Sequence, residues 1–335
     1  SNFFKQKINS KKNKQFIKNI MQIKNLNPIN QNKIYGFKNE LTEIFNLYDS
    51  KKLPNKIIFS GSKGIGKATM VYHLINYIFS KEEENFYNKQ SFEINELNKS
   101  YNLINKNIHP NFYLVDVCED KESIEIAQIR KMINYSIKST FDNNKKIILI
   151  DKVENLNVNS VNALLKIIEE PNDNIYFFLI FDNNKKTLNT LKSRCSKFNL
   201  SLTFEESINI SNKILNGDIS NLVNSELLYY YDTPGSFVNL INFADSIKLN
   251  LVEYNLKDFL NHLMDNSYYK NNLYIKKNIF NYIELYLLQL MKISQTKNKV
   301  NKIYSDMVKK IYNAKKYNLD MEGVFIYLKT QLFNE

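Results

Sequence analysis

The segment Gly61-Ser62-Lys63-Gly64-Ile65-Gly66-Lys67-Ala68-Thr69 holds the residue types that grip a phosphate. Closely spaced glycines let a backbone curl until successive N–H groups face one anion. Lys67 adds a positive charge, and a helix starting there adds the partial charge of its N-terminus. The spacing from Gly61 through four residues to Gly66 and Lys67 is that of a P-loop, which requires a strand before it and a helix after it. Both are readable. Lys56–Ser60 (KIIFS) is a short β-branched and aromatic run, and Lys67–Phe79 sets Val71, Leu74, Ile75 and Ile78 on one helical face. The candidate nucleotide-binding residues are therefore Gly61, Gly64, Gly66, Lys67, Ala68 and Thr69, joined by Asp151 at the end of a later strand. They are compatible with ATP binding.

Hydrolysis needs more than a cradle. A working loop has Ser or Thr after the lysine to hold Mg²⁺, and this chain has Ala68. Thr69 is one residue late, which turns it by ~100° around the helix. The apolar run Ile147-Ile148-Leu149-Ile150 ends in Asp151, the arrangement that presents a carboxylate to a metal at a strand end. In many P-loop ATPases the next residue is a carboxylate that polarises water. Here it is Lys152, and an ammonium cannot serve as general base. Glu154 lies two positions on; an extended backbone would put it on the same side as Lys152 but ~6–7 Å farther along. Phosphate binding is thus open to this chain, and hydrolysis is not expected of it.

These residues need a scaffold, and the pattern supplies one. Phe112–Val117 (FYLVDV), Lys146–Asp151 and Ile175–Phe181 (IYFFLIF) are near-continuous apolar runs, as strands of a parallel sheet covered on both faces should be. Between them, Ile126, Ile129, Ile133 and Ile137 line one helix, and Val161, Leu164, Leu165 and Ile168 line another that Pro171 ends. Strands alternating with helices make an α/β domain. Asn39–Tyr48 reads as a helix before it, and Lys81–Asn107 as a polar helix–loop insertion. Beyond about Leu202 the strand signal stops. Helices are expected over Phe204–Leu215, Leu222–Tyr230, Ser236–Lys248, Lys257–Met264, Leu273–Ile293, Val300–Tyr317 and Gly323–Leu332. Ser1 to about Asn30 is a Lys/Asn-rich stretch with a short helix expected around Phe16–Ile23.

Ser193-Arg194-Cys195, taken alone, is a surface arginine with neighbours. It changes meaning beside Asn162-Ala163-Leu164-Leu165-Lys166-Ile167-Ile168-Glu169-Glu170-Pro171. Together these resemble the NALLK…EEP helix and the SRC motif of the AAA+ clamp-loader family. His109-Pro110-Asn111, Ile126-Ala127-Gln128-Ile129-Arg130 and Thr233-Pro234-Gly235-Ser236 are similar to its delta-prime branch in particular. The resemblance runs from about Ile34 to Phe243.

It implies an α/β AAA+ P-loop core with a parallel sheet, followed by a small helical lid and an all-α collar. Residues 1–30 would be a basic tail, 31–202 the core, 203–249 the lid and 250–335 the collar that joins a hetero-oligomer. Arg194 would be an arginine finger acting on a neighbour's ATP, and the chain itself would be ATPase-deficient. The implied partners are tau/gamma-type ATPase subunits, the delta subunit, the sliding clamp and primed DNA, in DNA replication. The family's ATPase subunits carry an arginine near Thr233–Ser236 and none is present here, which fits this branch; some relatives carry a zinc-binding cysteine cluster, and Lys81–Asn107 has no cysteine for one. The alternatives are an ATP-hydrolysing tau/gamma-like subunit, a P-loop kinase, and a scaffold in which Arg194 does no chemistry.

Composition narrows the setting. The chain has 46 Lys and Arg against 34 Asp and Glu, a formal charge of +12 that suits contact with an anionic polymer. Lysine is spread along the whole chain, so this excess points to no one patch. Cys118 and Cys195 have no zinc-ligand spacing and make no disulfide framework, so no zinc is expected and a reducing cytoplasm fits. No apolar run reaches the ~18–20 residues of a membrane span, and no secretory signal is expected.

Overall fold

The computed structural model describes residues 26–118, 121–138, 145–169, 174–185, 189–228, 232–293, 297–317, 319 and 322–332. The helix expected around Phe16–Ile23, and Glu170 and Pro171 of the EEP segment, lie outside them. The described residues fall into two compact units. One runs to Asn216 and includes Thr233–Gly235; the other comprises Gly217–Asp232 and the residues from Ser236 onward.

The first unit runs α1 (Lys38–Asp49), β1 (Lys56–Gly61), α2 (Lys67–Phe79), α3 (Lys99–Asn105), β2 (Phe112–Val115), α4 (Ile126–Ile137), β3 (Lys146–Ile150), α5 (Val158–Glu169), β4 (Ile175–Asp182), β5 (Ser196–Asn199) and α6 (Phe204–Leu215). The strands form one sheet in the order β2-β3-β4-β1-β5, and every neighbouring pair is parallel. Parallel strands need crossovers, and the helices that supply them cover both faces. Alternation along each strand divides the core accordingly. Ile57, Phe59, Ile147, Leu149, Phe178 and Ile180 pack with α1 and α2. Ile58, Ile148, Ile150, Phe177, Leu179 and Phe181 pack with α4 and α5. This is the α/β core with a parallel sheet that the sequence led us to expect.

Two differences have local causes. Strand β2 ends at Val115, not Val117, because the Asp116 carboxylate takes the Val117 N–H at 2.6 Å and ends the ladder. Strand β5 carried no apolar run to announce it: it is an edge strand of sequence SKFN, bonded only to β1 and largely solvated.

The second unit is helical: α7 (Pro234–Ser246, whose first two residues belong to the first unit), α8 (Leu256–Asp265), α9 (Leu273–Ile293), α10 (Lys297–Lys316) and α11 (Glu322–Leu332). Phe259, Leu260, Leu263, Ile279, Ile283 and Leu328 are buried in it. In place of the helix expected from Leu222, the described residues form separate 3-10 turns at Ile219–Asn221 and Ser225–Leu227. The Asp218 and Asn224 side chains cap these turns, accepting from Ser220 N and Glu226 N at 2.9 and 3.0 Å, and so interrupt a continuous helix. Tyr229 and Tyr230 lie outside the described residues. Among the described residues no helix is long and apolar enough to cross a membrane.

Candidate functional site

Strand β1 feeds directly into the P-loop, and Gly66 begins α2 with φ 98°. Gly64 has φ 87°. Both lie in the left-handed region that residues with a Cβ avoid. A Cβ built on Gly66 would meet nothing within 4 Å, so the cradle is open on that side. Gly61 is required for a different reason. Its Cβ would stand 2.3 Å from the Leu200 carbonyl oxygen just past β5. We expect Gly61→Ala to destabilise the chain by about 1–3 kcal/mol through overpacking, whether or not nucleotide is present; urea unfolding with and without ATP measures it. An effect seen only with ATP would assign this glycine to phosphate contact instead.

Lys67 is buried, and its Nζ donates to the carbonyls of Gly61 and Ser62, each at 2.8 Å. Burial lowers its pKa, against the opposing pull of Asp182, Glu154 and Asp151. The far side of the loop meets Thr233–Gly235. Thr233 Oγ1 donates to Lys63 O at 3.0 Å, and Gly235 N donates to Gly64 O at 3.0 Å. Approach is so close that a Cβ on Gly64 would lie 2.4 Å from Thr233 Oγ1. Ala68 packs against the core between α1 and α2, and Thr69 follows it, half-buried, on the same helix.

The other charged groups gather where the parallel strands end. Register pairs Val115 with Ile150, Ile150 with Leu179 and Gly61 with Asp182, so Asp116, Asp151, Asp182 and the P-loop share the carboxyl edge of the sheet. Burial, reinforced by Asp116, pushes the Asp151 carboxyl up to about 6; the charge and N–H of Lys152 work against this. Lys152 N donates to Asp151 Oδ1 at 2.8 Å. The Lys152 ammonium bonds both oxygens of Asp116, at 2.8 and 3.0 Å. The side chain that follows Asp151 is thus held in an ion pair. The expected placing of Glu154 does not hold. Lys152 has φ 55°, and Val153–Asn155 is a 3-10 turn, so the chain does not run extended past Asp151. Glu154 instead accepts from Asp182 N at 3.1 Å. Asp116 and Asp182 were not singled out from sequence, although each ends an apolar run.

A cavity of about 330 Å³ lies in the same unit, lined among others by Tyr35, Gly36, Lys38, Leu202, Ile210 and Lys213. Leu202 is two residues past Leu200, whose carbonyl abuts Gly61. Nothing local in the sequence marked this cavity, because its walls come from segments about 170 residues apart.

Arg194 lies elsewhere. It follows the single turn Asn189–Lys192 and precedes β5, whose first residue, Ser196, pairs with Ile57 near the start of β1. From Ile57 to Gly61 a strand rises ~13 Å. Arg194 therefore sits at the amino edge of the sheet, opposite the chain's own P-loop. Its Nε donates to Glu169 Oε1 at 2.6 Å, and Nη1 donates to Thr190 O at 3.1 Å and Ser193 Oγ at 3.3 Å. Cys195 is half-buried against the core under α4 and α5, and burial pushes its thiol up to about 11. In the Ser-Arg-Cys triplet the serine touches the arginine and the cysteine fills space.

The fit of a nucleotide divides in two. The glycine conformations, the open side at Gly66, Lys67 and the N-terminus of α2 suit a phosphate. The metal side does not fit, since Ala68 offers no oxygen and Lys152 fills the base position with a cation. Among the described residues no group of three His, Cys, Asp or Glu could hold a metal ion.

Comparison with known proteins agrees with the sequence motifs. Residues 37–203 match the family described as DNA polymerase III, delta subunit. A DNA polymerase III subunit delta' of Buchnera aphidicola (Schizaphis graminum) is 32% identical over 203 residues, 59% of this chain and 58% of that protein. The delta' subunit of Bacillus subtilis is 29% identical over 45% of this chain and 44% of its own. A Buchnera gamma subunit is 32% identical over 52% of this chain and 46% of that protein. The chain thus spans about half the length of these relatives. A solved gamma-subunit-related protein of Thermotoga maritima has a TM-score of 0.41 and 13% identity, over 86% of this chain and 98% of that one. With its P-loop, parallel sheet and Ser-Arg-Cys turn inside the matched stretch, the chain belongs to this DNA polymerase III subunit family, on its delta-prime branch.

Proposed function

We propose that this chain is a clamp-loader subunit of DNA polymerase III that does not hydrolyse ATP itself and offers Arg194 to the ATP of a neighbouring subunit. One observation carries the reading. Arg194 and the chain's own P-loop stand at opposite edges of one sheet, so the arginine can serve a phosphate only in trans. The state of the P-loop supports the other half. Ala68 cannot ligate a metal, Lys152 is tied to Asp116, and Glu154 is tied to Asp182 N.

The neighbour's nucleotide supplies the phosphoryl group, on which negative charge develops during transfer. The guanidinium of Arg194 would meet that charge, and a planar fork matches two phosphate oxygens. In its own P-loop, the loop amides and Lys67 would hold a phosphate without turning it over. The cavity beside Tyr35 and Ile210 is large enough for a nucleoside, which extends that reading from phosphate to ATP. Asp151 would then face the phosphates as a bystander. The partners in this reading are tau/gamma-type ATPase subunits and the delta subunit, with the sliding clamp and primed DNA acted on by the assembly in the cytoplasm. Residues 203–249 would act as a lid and 250–335 as the collar that holds the subunits together.

The purified chain is expected to release no measurable phosphate from ATP, while joining ATPase subunits of the family into a complex seen by size exclusion. Turnover that vanishes on Lys67→Ala would favour the hydrolysing tau/gamma-like alternative. Monomeric protein with phosphotransfer activity would favour the kinase.

A further inference from the structure

We propose that Glu169 is the positioning residue of Arg194: its carboxylate takes the Nε side of the guanidinium, fixes the plane and leaves the two N–H groups of Nη2 for phosphate. This rests on the reading of Arg194 as a trans-acting arginine.

Arginine has five N–H donors in a fixed plane. Glu169 takes Nε at 2.6 Å, and the Thr190 carbonyl and Ser193 hydroxyl take Nη1. Among the described residues, Nη2 has no partner. Ser193 Oγ is itself fixed, donating to Thr190 O at 3.1 Å. Three contacts on two sides of the plane leave the guanidinium one orientation.

The supports are rigid. Glu169 is the last residue of α5, whose Leu164 and Ile168 are fully buried under the sheet. Leu191, at the root of the turn carrying Arg194, is buried in the same cluster, and Cys195 packs against it. One core therefore holds the base of the carboxylate and the base of the arginine. The pair itself is solvent-accessible, with side chains 38% and 48% exposed. Exposed ion pairs contribute little to stability, so fold maintenance does not account for this geometry. Orientation does: a donor acts on a developing charge only if it is already aimed, and a misplacement of about 1 Å can cost ~100-fold.

The test uses the reconstituted complex, with the ATP sites that do not face this chain disabled. Arg194→Ala, Glu169→Ala, Glu169→Gln and the Arg194→Ala/Glu169→Ala double variant are compared for kcat and KM. Glu169→Ala is expected to leave assembly and the thermal midpoint unchanged and to lower kcat about 10- to 100-fold at constant KM for ATP. Glu169→Gln, which keeps an acceptor for Nε, should recover part of that loss. The double variant should be no slower than Arg194→Ala alone. A slow Arg194→Ala beside a Glu169→Ala of normal or raised rate overturns the positioning role and leaves the arginine reading standing. Losses that multiply in the double variant overturn it too, since Glu169 would then act through something other than Arg194. If Arg194→Ala runs at the normal rate, the arginine reading falls and the positioning role falls with it.

Discussion

Replacing Arg194 by alanine is expected to slow ATP hydrolysis in the assembled complex while leaving assembly intact. Trans-acting arginines contribute ~10³–10⁵-fold in nucleotide hydrolases. In this reading the chain serves one ATP site among several, so total turnover should fall only in part, and clamp loading more steeply. Arg194→Lys should be nearly as slow. An ammonium is a point charge with no fork, and it cannot meet two phosphate oxygens while a carboxylate holds its other side. Stability should barely change, because the Glu169 pair is exposed and the turn is anchored by Leu191. The measurement is DNA- and clamp-stimulated phosphate release, with clamp loading followed in parallel. Normal loading by an assembled Ala variant would make Arg194 an ordinary surface residue and this chain a scaffold.

Acid should weaken the first unit through His73. This ring is fully buried on α2, with Nδ1 2.9 Å from the Tyr87 hydroxyl and Nε2 3.1 Å from the Gln31 carbonyl. A carbonyl only accepts, so Nε2 carries the proton and Nδ1 accepts from Tyr87. Burial lowers the His73 pKa from 6.5 to about 4, with the Gln31 hydrogen bond opposing. As pH falls, the unfolded chain takes up this proton first. The contribution of neutral His73 is therefore complete above pH 6.5 and is lost as pH drops through the window to about 4. The expected loss is about 2 kcal/mol by pH 5 and about 3 kcal/mol in full. His109, stacked on Phe79 at 4.2 Å, is also lowered to about 4 by burial and adds with the same sign. Asp151 works the other way: its folded-state value is raised to about 6, so protonation between about 6 and 3.8 favours the fold. Net stability against pH therefore mixes opposed contributions, and a variant isolates the histidine. His73→Gln keeps hydrogen-bonding capacity without titrating. Urea unfolding at pH 7.5 and pH 5 should show the gap between wild type and His73→Gln shifting by about 2 kcal/mol in favour of the variant. A gap that stays constant would mean that His73 keeps its ordinary affinity for protons.

The sequence by itself determined the parts whose meaning is local. The P-loop was legible because glycine spacing, a lysine and a strand-to-helix change lie within a few residues of one another. Strands β1 to β4 were legible because strands covered on both faces must be largely apolar, and the two helices α4 and α5 because their apolar residues recur at helical spacing. That the expected hydroxyl and carboxylate positions hold Ala68 and Lys152 could be read directly, since each sits at a fixed offset from its motif. Tertiary structure alone decided what depends on strand order and register. Edge strand β5 had too little apolar character to be seen, yet its pairing with β1 sets Arg194 at the edge opposite the P-loop. The Asp116–Lys152 pair spans 36 residues and exists because β2 and β3 are neighbours ending level. Glu154 met Asp182 N because the chain turns at Lys152, a left-handed residue that no propensity marks. Thr233 reached Lys63 across 170 residues. Periodicity reports which face of an element is buried, but not which other element covers it, and these contacts follow from that second choice.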